Sequence, residues 1–140
     1  MKDRLFLDTN VVIDLLGERE PFYQNAAQIA TLADKGKIQL VVSALTYSTA
    51  YYVLSKFEKQ KLVLEKLRKF KVIAETSDLT DKIIDKALTS GFSDFEDALQ
   101  YFCALQTNCN ILLTRNENDY KIAEIPVLSP EEFLKGFSIR

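Results

Sequence analysis

The chain reads as an α/β fold, a parallel sheet covered by helices on both faces. Three observations predict it. Short apolar runs (Leu5-Phe6-Leu7, Ile38 to Val42, Val72-Ile73-Ala74, Asn110 to Thr114 and Pro126-Val127-Leu128) alternate with longer segments of helical period. Polar residues close the runs, with Asp8, Ser43 and Thr114 each standing at a predicted strand end. The length, 140 residues, suits one domain with a real core over residues 1–140, and no linker, repeat or low-complexity stretch divides it.

In order, the first strand ends on Asp8, and Val11-Val12-Ile13 with Leu15-Leu16 begin a helix leaving it. Asp8 is therefore a site candidate, because ligands of open α/β sheets sit beyond the carboxyl ends of strands; it is equally a good helix cap. Glu20-Pro21 opens a helix with Phe22, Ala26, Ile29, Ala30 and Ala33 in period and Gly36 as its stop. Ile38 to Val42 is β-branched and strand-like, and Ser43 caps a helix from about Ala44 to Phe57 whose tyrosines, 47, 51 and 52, read as packing before base stacking. Lys56 to Lys71 holds seven basic residues against two acids, interleaved with apolar residues, and reads as an amphipathic helix with a solvated basic face.

After the third strand, Ser77 to Thr80 supplies caps for a helix that Gly91 ends. Ser93 and Glu96 match the capping box S-x-x-E, and Asp94 suits a helix dipole. Asp97 lies past the cap and shares a face with Asp94, ahead of the nearly all-apolar segment Ala98 to Gln106; acids on such a buried helix need a reason. Thr114 closes the fourth strand and leads into the polar segment Arg115 to Tyr120, and Ser129-Pro130-Glu131-Glu132 is a second capping box with Gly136 as its stop.

Composition narrows the chemistry. It is 47% apolar and 27% charged with net charge −2, and the apolar runs are too short for a membrane span or secretory signal, which predicts a cytoplasmic protein without membrane contact. Cys103 and Cys109 have no metal-type spacing and read as reduced, buried thiols. The chain has no histidine, so no imidazole serves as base, ligand or triad member, and it lacks the glycine-rich dinucleotide and phosphate loops. Chemistry must run on carboxylates.

Parallel strands bring Asp8, Ser43, Thr114 and the Asn116 to Asp119 loop to one sheet edge, where Asp94 and Asp97 can join them. Two carboxylates ~4 Å apart repel by about 4 kcal/mol at an effective dielectric near 20, so converging acids call for a cation. Oxygen-only ligands favour Mg²⁺ or Mn²⁺, which suit phosphodiester hydrolysis.

The segments Leu7-Asp8-Thr9-Asn10-Val11, Val42-Ser43-Ala44-Leu45-Thr46, Asp94 to Gln100, Thr114-Arg115-Asn116 and Asp119-Tyr120 together resemble the PIN domain family, and specifically its small single-domain bacterial members of the VapC toxin type. The resemblance implies a three-layer α/β/α fold with a central parallel sheet of four to five strands and a metal-dependent ribonuclease. It implies Asp8 and Asp97 as the principal metal ligands, Asp119 or Asn116 on the second side, and Asn10 and Thr114 orienting the acids. It also implies a homodimer held inactive by a small antitoxin. Many relatives place a glutamate where this chain has Thr49; Asp94 or Asp14 would then restore the missing charge, and a solvated Asp14 is the alternative. Arg115, Arg19 or the basic helix would meet RNA phosphates.

Rival readings differ at single residues. A haloacid dehalogenase-type phosphatase needs a second acid where Asn10 stands, and a receiver domain needs paired acids at the first strand end. A PIN-like module that binds RNA or protein without cutting, suggested by Thr49, is the reading from another class. A tight Mn²⁺ site dependent on Asp8 separates the two.

Overall fold

The computed structural model describes residues 2–139. Five strands, β1 (Arg4–Leu7), β2 (Gln39–Ser43), β3 (Ala74–Ser77), β4 (Ile111–Leu113) and β5 (Val127–Leu128), form one parallel sheet in the order β3-β2-β1-β4-β5. Seven helices accompany them among the described residues: α1 (Thr9–Leu16), α2 (Tyr23–Asp34), α3 (Ala44–Leu54), α4 (Gln60–Ile73), α5 (Asp81–Leu88), α6 (Phe95–Gln106) and α7 (Pro130–Ile139), with one 3-10 turn at Glu117–Tyr120.

Alternation along the strands explains the layers. Leu5, Leu7, Leu40 and Val42 point into a core shared with α1, α2, α4 and α7, while Phe6, Val41 and Leu112 point into a second core built with α5 and α6. Both sheet faces are therefore apolar and both are covered, giving a three-layer α/β/α architecture. A smaller cluster of Ile13, Ala50, Leu54, Val63 and Leu67 joins α1, α3 and α4.

The order of the strands decides where a ligand fits. From β1 the chain moves outward to β2 and β3 on one side, then crosses to β4 and β5 on the other. The reversal lies between β1 and β4, and the crevice beyond their carboxyl ends is the place an open α/β sheet offers a ligand. Asp8 follows β1 and Thr114 follows β4, so both stand at that crevice.

Several boundaries differ from the sequence expectation. Val72 and Ile73 complete α4 instead of opening β3, because Phe70 and Ile73 keep the helical spacing that packs α4 on the first core. The strand that follows is the more polar Ala74–Ser77, at a sheet edge where only one neighbour has to be paired. At α6 the N-cap is Asp94, whose Oδ1 accepts the Asp97 N–H at 3.0 Å, so Ser93 and Glu96 form no capping box. The box at Ser129 and Glu132 does form, with reciprocal bonds of 2.9 and 3.1 Å, and α7 then runs through exposed Gly136, where a side chain would meet nothing. Among the described residues no helix is long and apolar enough to cross a membrane.

Candidate active site

Asp8 is both a cap and a site residue, one oxygen for each. Its Oδ1 accepts the Thr9 N–H at 2.7 Å and so starts α1. Its Oδ2 faces the crevice and is approached by three donors: the Thr114 hydroxyl at 2.8 Å, the Tyr120 phenol at 3.2 Å and the Asn10 amide at 3.5 Å. Asn10 also reaches the Thr114 hydroxyl at 3.3 Å and accepts the Arg115 N–H at 3.4 Å, tying α1 to the exit of β4. With only 7% of Asp8 exposed, burial raises its carboxyl above the ordinary value, and bonds from Thr114, the Thr9 N–H, Tyr120 and Gln100 pull it back.

Asp97 approaches from the opposite side of the sheet edge, on the first turn of α6. Its carboxyl is pushed up to about 7, first by desolvation and then by Asp94, Asp8, Asp119 and Glu96, all of them anions. The buried Tyr120 phenol joins the two aspartates, lying 3.5 Å from Asp97 Oδ1 as well as 3.2 Å from Asp8 Oδ2. Burial and both carboxylates drive the phenol's own ionisation far above its usual range, so it remains a donor. One turn along α6, fully buried Gln100 donates to the Thr9 hydroxyl at 2.8 Å and the Thr46 hydroxyl at 3.4 Å, and those hydroxyls bond each other at 2.8 Å. Its Oε1 has no hydrogen-bond partner among the described residues.

The acids do not converge as a group of three or four. Among the described residues no set of three acidic or cysteine side chains is close enough to hold an ion. The expected cluster reduces to the Asp8–Asp97 pair, flanked by exposed Asp94 and Asp119, which act on Asp97 through their charge. Asp94 has committed one oxygen to its cap, and Asp119 lies on the 3-10 turn because the chain must rise there to deliver Tyr120 inward.

Other expected members have different tasks. Asp14 is neither solvated nor available to replace a missing charge: it is 1% exposed and paired with Arg115 at 2.5 Å and Arg19 at 3.6 Å. Arg115 in turn stacks on Phe22, 4.0 Å from the ring centroid, so its guanidinium is already engaged instead of free for a phosphate. Ser43 spends its buried hydroxyl on the N-cap of α3, accepting the Leu45 N–H at 3.0 Å. The Asn116 N–H donates to the Thr114 hydroxyl at 3.0 Å, while its exposed side chain caps nothing. Thr49 is half-buried on α3, a helix without any acid. Of the basic run, Lys61 to Lys71 lie on α4, with Val63, Leu67 and Phe70 inward, while Lys56 and Lys59 precede it; Lys66 bonds Glu58 and the Leu16 carbonyl, and Tyr47 packs on Phe70.

The sequence places Tyr120 and Gln100 in segments that carry the family resemblance but assigns neither a role at the site. An aromatic residue after a polar loop and an amide inside an apolar helix each look like packing, and what reveals them is their placement beside Asp8, 112 and 92 residues away in the chain.

This arrangement defines a class: a three-layer α/β/α protein with a buried aspartate at its strand reversal and a second acid opposite. More particularly, the chain belongs to the PIN domain family, whose profile matches residues 4–118. It is 31% identical to Ribonuclease VapC1 of Aquifex aeolicus (strain VF5) over 141 residues, covering 97% of this chain and 96% of that protein. Solved structures share the fold. One is VapBC2 of Rickettsia felis, bound to a DNA fragment from its promoter, with a TM-score of 0.65, 20% identity, and 90% and 97% of the two chains covered. Another is a toxin-antitoxin complex from Klebsiella pneumoniae, with a TM-score of 0.66, 23% identity and the same coverage.

Proposed function

We propose that the protein is a divalent-metal-dependent endoribonuclease, the toxin of a toxin-antitoxin pair, working in the cytoplasm as a single-domain chain. The observation that carries this reading is the Asp8–Asp97 pair: two carboxylates at the strand reversal that share the Tyr120 phenol, one of them raised to about 7 by desolvation and then by surrounding anions, with no lysine or arginine among the groups acting on it. Such a pair lacks a counter-cation that the chain itself does not supply. Support for RNA as substrate comes from the relative named as a ribonuclease, and support for an antitoxin from the complexes that share the fold. A homodimer is part of the same proposal.

The residues fit Mg²⁺ or Mn²⁺. The donors are oxygens only, and Mg²⁺ is commonly held by one or two carboxylates with water filling the remaining positions, so a pair suffices where a closed cage would not be expected. Asp8 and Asp97 would hold the ion, with Asp119 and Asp94 adding long-range negative charge. When bound, a divalent ion polarises phosphoryl oxygens and makes water more acidic. The chain's own contribution is orientation. Thr9, Thr114 and Asn10 fix the Asp8 carboxylate, the buried Thr9–Thr46–Gln100 network braces the start of α1 against α3 and α6, and the Asp14–Arg115 pair secures the turn after Thr114.

The test is cleavage of a fluorescently labelled single-stranded RNA with Mn²⁺ or Mg²⁺ and with EDTA. Asp8→Asn and Asp97→Asn are each expected to abolish cleavage while keeping the wild-type circular dichroism spectrum. Undiminished cleavage by either variant refutes the assignment. A wild-type protein with no tight Mn²⁺ site by calorimetry, and no cleavage, would instead be the silent binding module that the acid-free α3 helix suggests.

A further inference from the structure

The two aspartates are held very unequally. Asp8 is gripped by the Thr9 N–H, the Thr114 hydroxyl and the Asn10 amide, independently of anything Tyr120 does. For the Asp97 carboxylate, the phenol of Tyr120 is the sole hydrogen-bond donor among the described residues. Every charged group acting on Asp97 is an anion, and Asp97 is partly exposed, so repulsion favours turning it outward to water. The contact that opposes this comes from a residue 2% exposed, whose ring packs edge-on against Phe92 with centroids 6.0 Å apart. Both phenol contacts, 3.2 and 3.5 Å, are longer than an ordinary O–H···O bond, as expected when one proton serves two mutually repelling acceptors.

We propose that Tyr120 is a positioning residue that acts through Asp97, keeping that carboxylate turned toward Asp8 so that the pair is preformed for a divalent cation. The inference rests on the metal-site reading above. A neutral hydroxyl suits the task better than a lysine, which would orient the acid equally well but neutralise it and compete with the ion. Outer partners of this kind typically change metal affinity 10- to 100-fold.

Tyr120→Phe removes one oxygen and leaves the ring and its contact with Phe92, so the variant keeps the fold. Mn²⁺ affinity is measured by calorimetry for wild type, Tyr120→Phe, Asp97→Asn and the double variant, with melting in EDTA alongside. The expected result is about tenfold or greater weakening by Tyr120→Phe, no additional weakening when Asp97 is already Asn, and RNA cleavage restored by excess Mn²⁺. Wild-type affinity in Tyr120→Phe overturns the inference, including when melting temperature falls, since that outcome marks a structural role only. Equal weakening with and without the Asp97 carboxylate also overturns it. Absence of Mn²⁺ binding by the wild type overturns the metal-site reading itself, and this inference with it.

Discussion

At the scale of single residues, Asp97 carries a pH dependence whose sign follows from its surroundings. Its carboxyl, ordinarily near 3.8 as in the unfolded chain, is pushed up to about 7 by folding. Between those limits the folded protein holds a proton that the unfolded chain has released, so stability falls as pH rises through that window and levels off above it. In EDTA the melting temperature is expected to be higher at pH 5 than at pH 8, and Asp97→Asn to flatten the difference; a wild-type slope of opposite sign would contradict the geometry. Asp8 and Thr114 are legible because strand ends are legible, and Asn10 through the family resemblance. Asp14 is not, since its partner Arg115 lies 101 residues further on and only folding shows that a lone acid in an apolar helix has a counter-ion.

At the scale of elements, the Asp14–Arg115 pair fastens α1 to the exit of β4, and Asp14 is nearly devoid of solvent. Removing one partner of such a pair leaves an uncompensated charge and costs about 3 to 5 kcal/mol, whereas removing both costs less than the sum. Arg115→Met should therefore lower unfolding free energy by about 3 kcal/mol in urea titration, and Asp14→Leu in that background should recover part of it. A cost below about 1 kcal/mol for the single change would mean Arg19 compensates. The α1–α3 contact is equally specific: a Cβ at Gly17 would stand 2.9 Å from both the Ile13 carbonyl and Leu54 Cδ2. Gly17→Ala is expected to cost about 1 to 3 kcal/mol by overpacking, measured the same way, and a neutral result would show that α3 gives way freely. Element types were largely readable from periodicity, while boundaries were not where β-branched residues ended a helix, as at Val72 and Ile73, or where two polar residues competed for one cap, as at Ser93 and Asp94.

At the scale of the whole molecule, alternation of strands and helices made a parallel sheet predictable, but the order β3-β2-β1-β4-β5 is a long-range fact that no local pattern encodes. That order draws the candidate site from β1, α6 and the 3-10 turn, segments far apart in the chain. On the proposed reading, an ion bound across Asp8 and Asp97 would therefore stabilise the global fold, by about 2.7 kcal/mol at 100 times its dissociation constant. Saturating Mn²⁺ should raise the melting temperature at pH 8 more than at pH 5, and an equal rise at both would argue against binding by the ionised pair. The two buried thiols extend this to kinetics. Cys103 lies on α6 with no exposed surface, six residues beyond Asp97, and Cys109 precedes β4. Alkylating reagents can reach Cys103 only when the core around α6 opens, so its modification rate, followed by mass spectrometry, reports the opening of the packing behind the helix that carries half the acid pair.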